Sequence, residues 1–345
     1  MVNQGFTLRL HPSSPIRTVY PRGSLGGDRG SMFFLAGIFS ALMLSGLVVM
    51  IDSDEDGQFD DTENLEDNGF EARKMQEGRF VTGSDATGSI QSGNAADNHL
   101  TGTVGLDQIN GYAGHDRLSG GAGGDILIGG AGKDHLWGGD HNDQLRGDSE
   151  DDILNGGAGA DRLFGGLGND QLFGTAGKDT LSGGEGDDNL QGDAGNDALL
   201  GGYGNDRLEG GAGSDSLFGG PGDDILIGQE TQATADFLNG GAGNDILQSG
   251  GADSLHGGSG QDLFQIITAA NRPEDVAEIS DFNPNHDRIE IWVNGQQQTD
   301  PIIEISQNNA GHALVWLNQN PILLVLSEEK LTAAHIILRH GPANA

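Results

Sequence analysis

The sequence predicts an all-β fold, a parallel β-roll in which short strands coil into two stacked sheets. Three observations predict it. Fourteen aspartates recur at a period of nine, from Asp107 to Asp224, without a slip. Two residues after each comes Ile109 or a leucine, from Leu118 to Leu226, and five residues before each comes a glycine, from Gly102 to Gly219. Fixed-period self-similarity of this length belongs to solenoids, in which each repeat contacts its neighbours and a continuous core forms by stacking.

The consensus GGxGxDxLx can be read position by position. Repeated glycines permit positive φ and close backbone approach, so six residues make a tight turn whose carbonyls can point inward. The x-Leu-x that follows is too short for a helix and suits a short strand with its middle side chain facing one way. Two repeats then make one flattened coil of eighteen residues with a strand on each side. Stacked coils place each leucine over its equivalent at about 4.8 Å. From Asn98, which with Leu100 reads as a degenerate opening repeat, to Gly228 this gives about seven coils. Glycine also stands two residues before each Asp, except at His141 and Glu150. The insertion Gln229–Ala235 breaks the phase, costing a site or looping out, and Asp236, Asp245, Asp253 and Asp262 resume it with one spacing of eight.

Stacking also aligns the aspartates. Asp107, Asp125, Asp143, Asp161, Asp179, Asp197 and Asp215 fall along one edge, and Asp116, Asp134, Asp152, Asp170, Asp188, Asp206 and Asp224 along the other. Like charges about 5 Å apart repel strongly unless a counterion intervenes. Carboxylate and carbonyl oxygens around a flexible site suit Ca²⁺, whereas Mg²⁺ demands a smaller, stricter octahedron. Asx-turns, in which each Asp bonds its own loop, are the rival reading, and they leave the repulsion unanswered.

These residues resemble the RTX (repeats-in-toxin) nonapeptide family, over about Asn98–Asp262. The resemblance implies a β-roll with multiple Ca²⁺ ions, each between successive loops of one edge. The Asp at the sixth repeat position of both loops and carbonyls of the turns would hold it. Carried onto this chain, the ligands are the fourteen aspartates named above, with Asp236 and Asp245 continuing the rows. Carbonyls such as those of Gly120, Ala122, Gly139 and Gly156 would complete the sites, and the loops of His141 and Glu150 are the irregular ones.

Composition agrees. The 345 residues include 61 glycines, against roughly 25 expected from average usage. With 52 acidic and 17 basic side chains, the formal charge is −35. That sign excludes nucleic acid as a partner and asks for a cationic neutraliser on folding. There is no cysteine, so disulfides and thiolate zinc sites are excluded and bound metal is the expected staple.

The flanks divide by composition. Residues 1–30 form a basic N-terminal segment, and residues 31–51 a hydrophobic helix, transmembrane or signal-anchor in character. Arg9, Arg17, Arg22 and Arg29 precede it and acids follow, which places the N-terminus in the cytoplasm and the acidic bulk outside. A cleavable signal peptide is the alternative, although no A-x-A-like site follows, and Met32 is a second candidate start. Residues 52–97 are an acidic linker. Within it, Asp52–Glu63 matches the EF-hand loop pattern at Asp52, Asp54, Asp56, Gly57 and Glu63, with Gln58 at the carbonyl-donating seventh place. An acidic spacer meeting a short pattern by accident is the competing reading.

Residues 98–228 are the roll, 229–262 its degenerate continuation, and 263–345 a β-rich C-terminal cap. In the cap, segments such as LFQII, DRIEIWV, HALVWL and PILLVL alternate or run apolar between Asn, Gly and Pro. GGSGQDLFQI followed by AEISDFNPNHDRIEI looks like the C-terminal cap of the serralysin-type secreted proteases. That likeness implies an extracellular protein exported by a type I secretion machinery through an uncleaved C-terminal signal. Arg339–Ala345 lack an apolar-ended tail of that kind. No H-E-x-x-H occurs and no nucleophile–base pairing stands beside the repeats, so no enzyme is expected. The expected function is a structural or surface-associated calcium-binding protein. An adhesin or matrix protein using outward-facing Trp137, Phe164, Phe173 and Phe218 is the alternative, and those residues also suit ordinary sheet faces.

Overall fold

The computed structural model describes residues 88–228, 234–268, 276–293, 301–308, 310–326 and 330–340. The chain divides into two units, Met1–Glu63 and Asn64–Ala345, and every described residue belongs to the second. The apolar run 31–51 and the loop 52–63 therefore lie outside the described residues. Among the described residues no helix is long and apolar enough to cross a membrane.

Strands alternate between two parallel sheets, and each pairs with the strand one coil away. Leu172 of Gln171–Ala176 stands beside Leu154 and Leu190, eighteen residues back and forward, and Leu181 of Thr180–Glu185 beside Leu163 and Leu199. Among the described residues one sheet has 14 strands and the other 12, and both run from the first repeat into the cap. Repeat strands are longer than the three residues expected. Most span six, from the residue after Asp through both glycines and one more, as in His135–Asp140 and Arg162–Leu167, while Ile225–Gly228 and Ile246–Ser249 span four. The turn is correspondingly short. Glycine makes the extension possible, because a Cβ on Gly139 or Gly157 would strike the carbonyl oxygen of the coil beneath.

The leucine of every repeat points between the sheets. Leu118, Leu127, Leu136 and their successors to Leu247 are essentially inaccessible, and Phe264 continues the stack. Each buried leucine contributes roughly 1.5–3 kcal/mol of transfer free energy. The stack ends on a polar residue. Gln91 of strand Ile90–Ser92 occupies the leucine place beside Ile109 and is 5% exposed. Its Nε2 donates to the Thr101 carbonyl at 2.7 Å and to Ser89 Oγ at 3.1 Å. This coil, with Ser89 in the aspartate place, precedes the opening repeat expected at Asn98.

The roll continues in register on both sides of the insertion. Asp215 N–H reaches Asp236 Oδ1 at 2.8 Å across 21 residues where its predecessors span 18, and the next coils span 17. Strand pairing passes through, with Leu217 beside Leu238.

The cap prolongs both sheets. Ala277–Ile279 and Arg288–Val293 add parallel strands to the ends of the two sheets. Ile303–Gln307, Ala313–Leu317 and Asn320–Val325 then form an antiparallel meander. The last strand, Ile336–His340, pairs parallel with Arg288–Val293. Phe282, Ile291, Val315, Leu323 and Leu331 close the core over Phe264. Arg339 holds the final strand through Nη2 on Glu290 Oε1 at 2.6 Å.

Candidate metal centre

Every repeat aspartate ends its turn, and the coil returns it to the same edge eighteen residues later. Asp116, Asp134, Asp152, Asp170, Asp188, Asp206, Asp224 and Asp245 form one row, here the first edge. Asp107, Asp125, Asp143, Asp161, Asp179, Asp197, Asp215 and Asp236 form the second. None is more than 3% exposed. Within a row, Oδ1 of each accepts the backbone N–H of the aspartate one coil earlier. Asp134 N–H to Asp152 Oδ1 is 2.7 Å and Asp143 N–H to Asp161 Oδ1 is 2.8 Å.

The other oxygen lacks a donor in thirteen of them: Oδ2 is buried without a hydrogen-bond partner in the nine-spaced run from Asp116 to Asp206 and in Asp224 and Asp245. A buried acceptor left unmade costs about 1–3 kcal/mol, and more when charged. Each such oxygen lies over the Cα of the glycine five residues earlier, so a Cβ on Gly120 would collide with Asp125 Oδ2 and lie 2.7 Å from the Gly138 carbonyl. That first glycine is thus required by space. The second and fourth are required by conformation as well, with φ of +126° at Gly166 and +127° at Gly168.

The backbone oxygens divide by repeat position. Gly156 turns its carbonyl toward Gly138 of the preceding coil, beside Asp143 Oδ2, and Gly139 turns its own toward Gly157 of the following one. Third-position carbonyls such as those of Ala131 and Ala176 accept N–H bonds from Gly114 and Gly159 at 2.9 and 2.8 Å. Ala122 holds that third place. His141 and Glu150 adopt the left-handed conformation of the glycines they replace, at φ 79° and 73°, and their carbonyls face Gly159 and Gly168 as glycine carbonyls do. The two irregular loops keep the common shape.

Burial governs the electrostatics. It raises the carboxyl of Asp152 to about 8, a backbone hydrogen bond from Asp134 opposes it, and the charges of Asp170 and Asp134 add to it. Asp143, Asp188, Asp197 and Asp245 are held at about 7 by the same combination. Asp134, Asp170, Asp179, Asp206 and Asp224 stand at about 6, again chiefly through burial. Asp116, Asp125 and Asp161 are raised for the same reason.

Files of buried carboxylates with a bare oxygen each fit a hard cation. Among the described residues no three His, Cys, Asp or Glu side chains converge. A cation here would draw on the carboxylates of neighbouring loops and on backbone carbonyls, the oxygen-only donor set that Ca²⁺ accepts. When bound, the ion supplies the positive charge that the rows lack.

Sequence reading placed Asp236 and Asp245 in the rows, and the structure puts them there. It missed Asp287, whose Oδ1 accepts Asp262 N–H at 3.1 Å and so extends the first edge. Asp287-Arg288-Ile289 preserves the Asp-x-Leu spacing and was its only signal. Asp52, Asp54, Asp56, Gln58 and Glu63 lie outside the described residues. No curated protein matches the chain. The family described as RTX calcium-binding nonapeptide repeat matches residues 92–127, 119–154, 137–172, 146–181, 173–202, 200–230 and 231–264. Those matches run continuously over half of the chain and cover both aspartate rows, so this protein belongs to the RTX calcium-binding nonapeptide repeat family.

Proposed function

We propose that this is an extracellular, non-catalytic calcium-binding protein whose roll folds when its aspartate rows take up Ca²⁺, with a structural or surface-associated role. The observation that carries the reading is the set of thirteen buried carboxylate oxygens without a donor. Without a cation these rows oppose the fold. Where calcium is scarce the chain stays extended and exportable, and at millimolar calcium each occupied site adds its mass-action term to stability. The likeness of the cap to the serralysin type supports export by a type I secretion machinery. The apolar run 31–51 supports attachment of the extracellular protein to the cell surface. Circular dichroism in EGTA and in millimolar calcium tests the core of this reading. A large cooperative gain of β-structure on adding calcium is expected, and identical spectra would refute it.

A second reading, a calcium-dependent adhesin or matrix protein, is favoured by one face. Strands Ala198–Tyr203, Ser216–Pro221 and Phe237–Ala242 are neighbours and carry no charged side chain. Leu200, Tyr203, Phe218 and Phe237 are exposed there, and the rings of Phe218 and Phe237 lie 5.5 Å apart. An uncharged apolar strip on a chain of charge −35 is the kind of surface that marks a contact site. Calcium-dependent retention on cells or polysaccharide, lost in Phe218→Ser, would support it.

A further inference from the structure

The two rows do not run to the ends of the roll unchanged. At each end the structure replaces an open loop by one that satisfies its own carboxylate. Asp107 Oδ2 accepts the N–H of Thr103, within its own turn, at 2.6 Å and the Thr103 hydroxyl at 3.1 Å. Ser89 N–H occupies its Oδ1. At the far end of the same edge, one residue is missing from the turn, and Gly250 N–H falls on Asp253 Oδ2 at 3.3 Å. Asp236 N–H occupies Asp253 Oδ1.

The other edge is bracketed in the same way. Its first member is an amide, Asn98, whose Oδ1 accepts Asn94 N–H from its own turn at 2.7 Å. Its last is Asp287, whose Oδ2 accepts Asn283 N–H at 2.7 Å. The adjacent loop, that of Asp262, has its Gly257 and Gly258 N–H groups bound by Asp281, at 3.0 and 2.7 Å. Between these brackets the aspartates from Asp116 to Asp206 at nine-residue spacing, with Asp224 and Asp245, keep a buried Oδ2 with no donor.

We infer that cation binding is confined to the open loops and that Asp107, Asp253 and Asp287 are capping carboxylates. The inference rests on the calcium reading above and specifies where it operates. A carboxylate oxygen that already accepts a backbone N–H has a lone pair engaged and a positive dipole facing it, which makes it a weaker ligand for an ion than a bare oxygen. The open oxygens have nothing to give up. The eight open loops of the first edge leave seven gaps between them, and the five of the second edge from Asp125 to Asp197 leave four. The loops of His141 and Glu150 count as open. The closed loops let each row end without an uncompensated charge at its last member, as Gln91 lets the leucine stack end without a bare apolar face.

Calcium counting on the full chain tests this. Wild type, Asp107→Asn, Asp253→Asn and Asp161→Asn would be saturated with calcium and freed of excess by gel filtration. Bound calcium per chain would then be measured by plasma mass spectrometry, with circular dichroism confirming the fold. Differences from wild type cancel any ion held elsewhere in the chain. Asp107→Asn and Asp253→Asn are expected to keep the wild-type count, whereas Asp161→Asn loses the ions of the two gaps that flank it. Loss of calcium from folded Asp107→Asn or Asp253→Asn to the same extent as from Asp161→Asn overturns the assignment. The two capping variants lie at opposite ends, so the test survives if one fails to fold. A wild type holding no calcium would overturn the functional reading itself, a result visible before any variant is made.

Discussion

The two edges of the roll bury the same aspartate rows, yet they are held differently on the outside. On the first edge the residue just before each aspartate bonds to the next coil. Asp97 Oδ1 accepts His115 N–H, and His115 Nδ1 accepts Lys133 N–H, both at 2.8 Å. Asp151, Asn169, Asp187, Asn205, Asp223 and Asn244 each accept the N–H of the equivalent residue one coil on, at 2.7–3.0 Å. Lys133 bridges the remaining step by an ion pair to Asp151. The second edge has Leu106, Gly124, Ala160, Lys178 and Ser214 at that place. Two such bonds are seen there, from Ala160 to Asn142 and from Ser214 to Asn196. The first edge therefore has a nearly continuous ladder that works without an ion, and the second, with two rungs, leans chiefly on its aspartates. Identical ligand rows need not be equally dependent on the metal.

Acidity should act on both edges alike, and its effect is the largest expected. Asp152, Asp188 and Asp245 of the first edge and Asp143 and Asp197 of the second have carboxyls raised to about 7 or 8 by burial, from an ordinary 3.8. A group whose folded pKa is raised stabilises the fold fully below its ordinary value and loses that contribution as pH rises through the folded one. Calcium-stripped protein should thus be most ordered near pH 4 and lose structure between about pH 4 and pH 8. With calcium present the trend reverses, because protons compete for the same oxygens. Circular dichroism of stripped protein across that range checks the sign. Greater order at pH 8 than at pH 4.5 would show that the rows are not buried as described.

Hydrogen exchange at limiting calcium separates the edges. An added backbone hydrogen bond contributes about 0.5–1.5 kcal/mol net. Turn amides of the first edge, at Asn169, Asp187, Asn205 and Asp223, should therefore exchange several-fold to about tenfold more slowly than those at Gly124 and Lys178. Equal protection would remove the distinction between the edges.

How much of this the sequence disclosed depends on where each contact lies. The leucine core and both aspartate rows were legible because one residue type recurs at every repeat, from Leu118 to Leu226 and from Asp107 to Asp224. The outer ladder was not, since Asp, Asn, His and Lys share one role at alternate repeats, and each looks like any solvated turn residue. Strand length was misjudged because Gly165 and Gly166, which belong to strand Arg162–Leu167, carry the usual signal of a turn. The closed loops were hidden for another reason. Asp107 keeps Gly102 and Gly105 of the repeat, and Thr103 at the second glycine place does not announce closure, because Thr175 fills the same place in the open loop of Asp179. The coil at Ser89 and Gln91 replaces both signature residues with polar ones of similar reach, so no periodicity survives to find it.

Single rungs give the smallest and sharpest comparison. Asn205→Ala removes the acceptor of Asp223 N–H on an exposed turn and should cost about 1 kcal/mol. Lys178→Ala, at the equivalent place on the second edge, removes no such acceptor and should stay within about 0.5 kcal/mol. The converse is Lys178→Asn. Lys178 lies one coil before Asn196 and one after Ala160, so an Asn there would supply the second edge with an acceptor for the Asn196 N–H. A gain of a few tenths to about 1 kcal/mol is expected, which is roughly 1–4 °C in thermal midpoint for a domain of this size. Measured in limiting calcium, the gain should exceed that in saturating calcium, because there the aspartate row no longer holds the edge by itself. Equal gains in both conditions would mean that the outer ladder and the aspartate rows stabilise the roll independently.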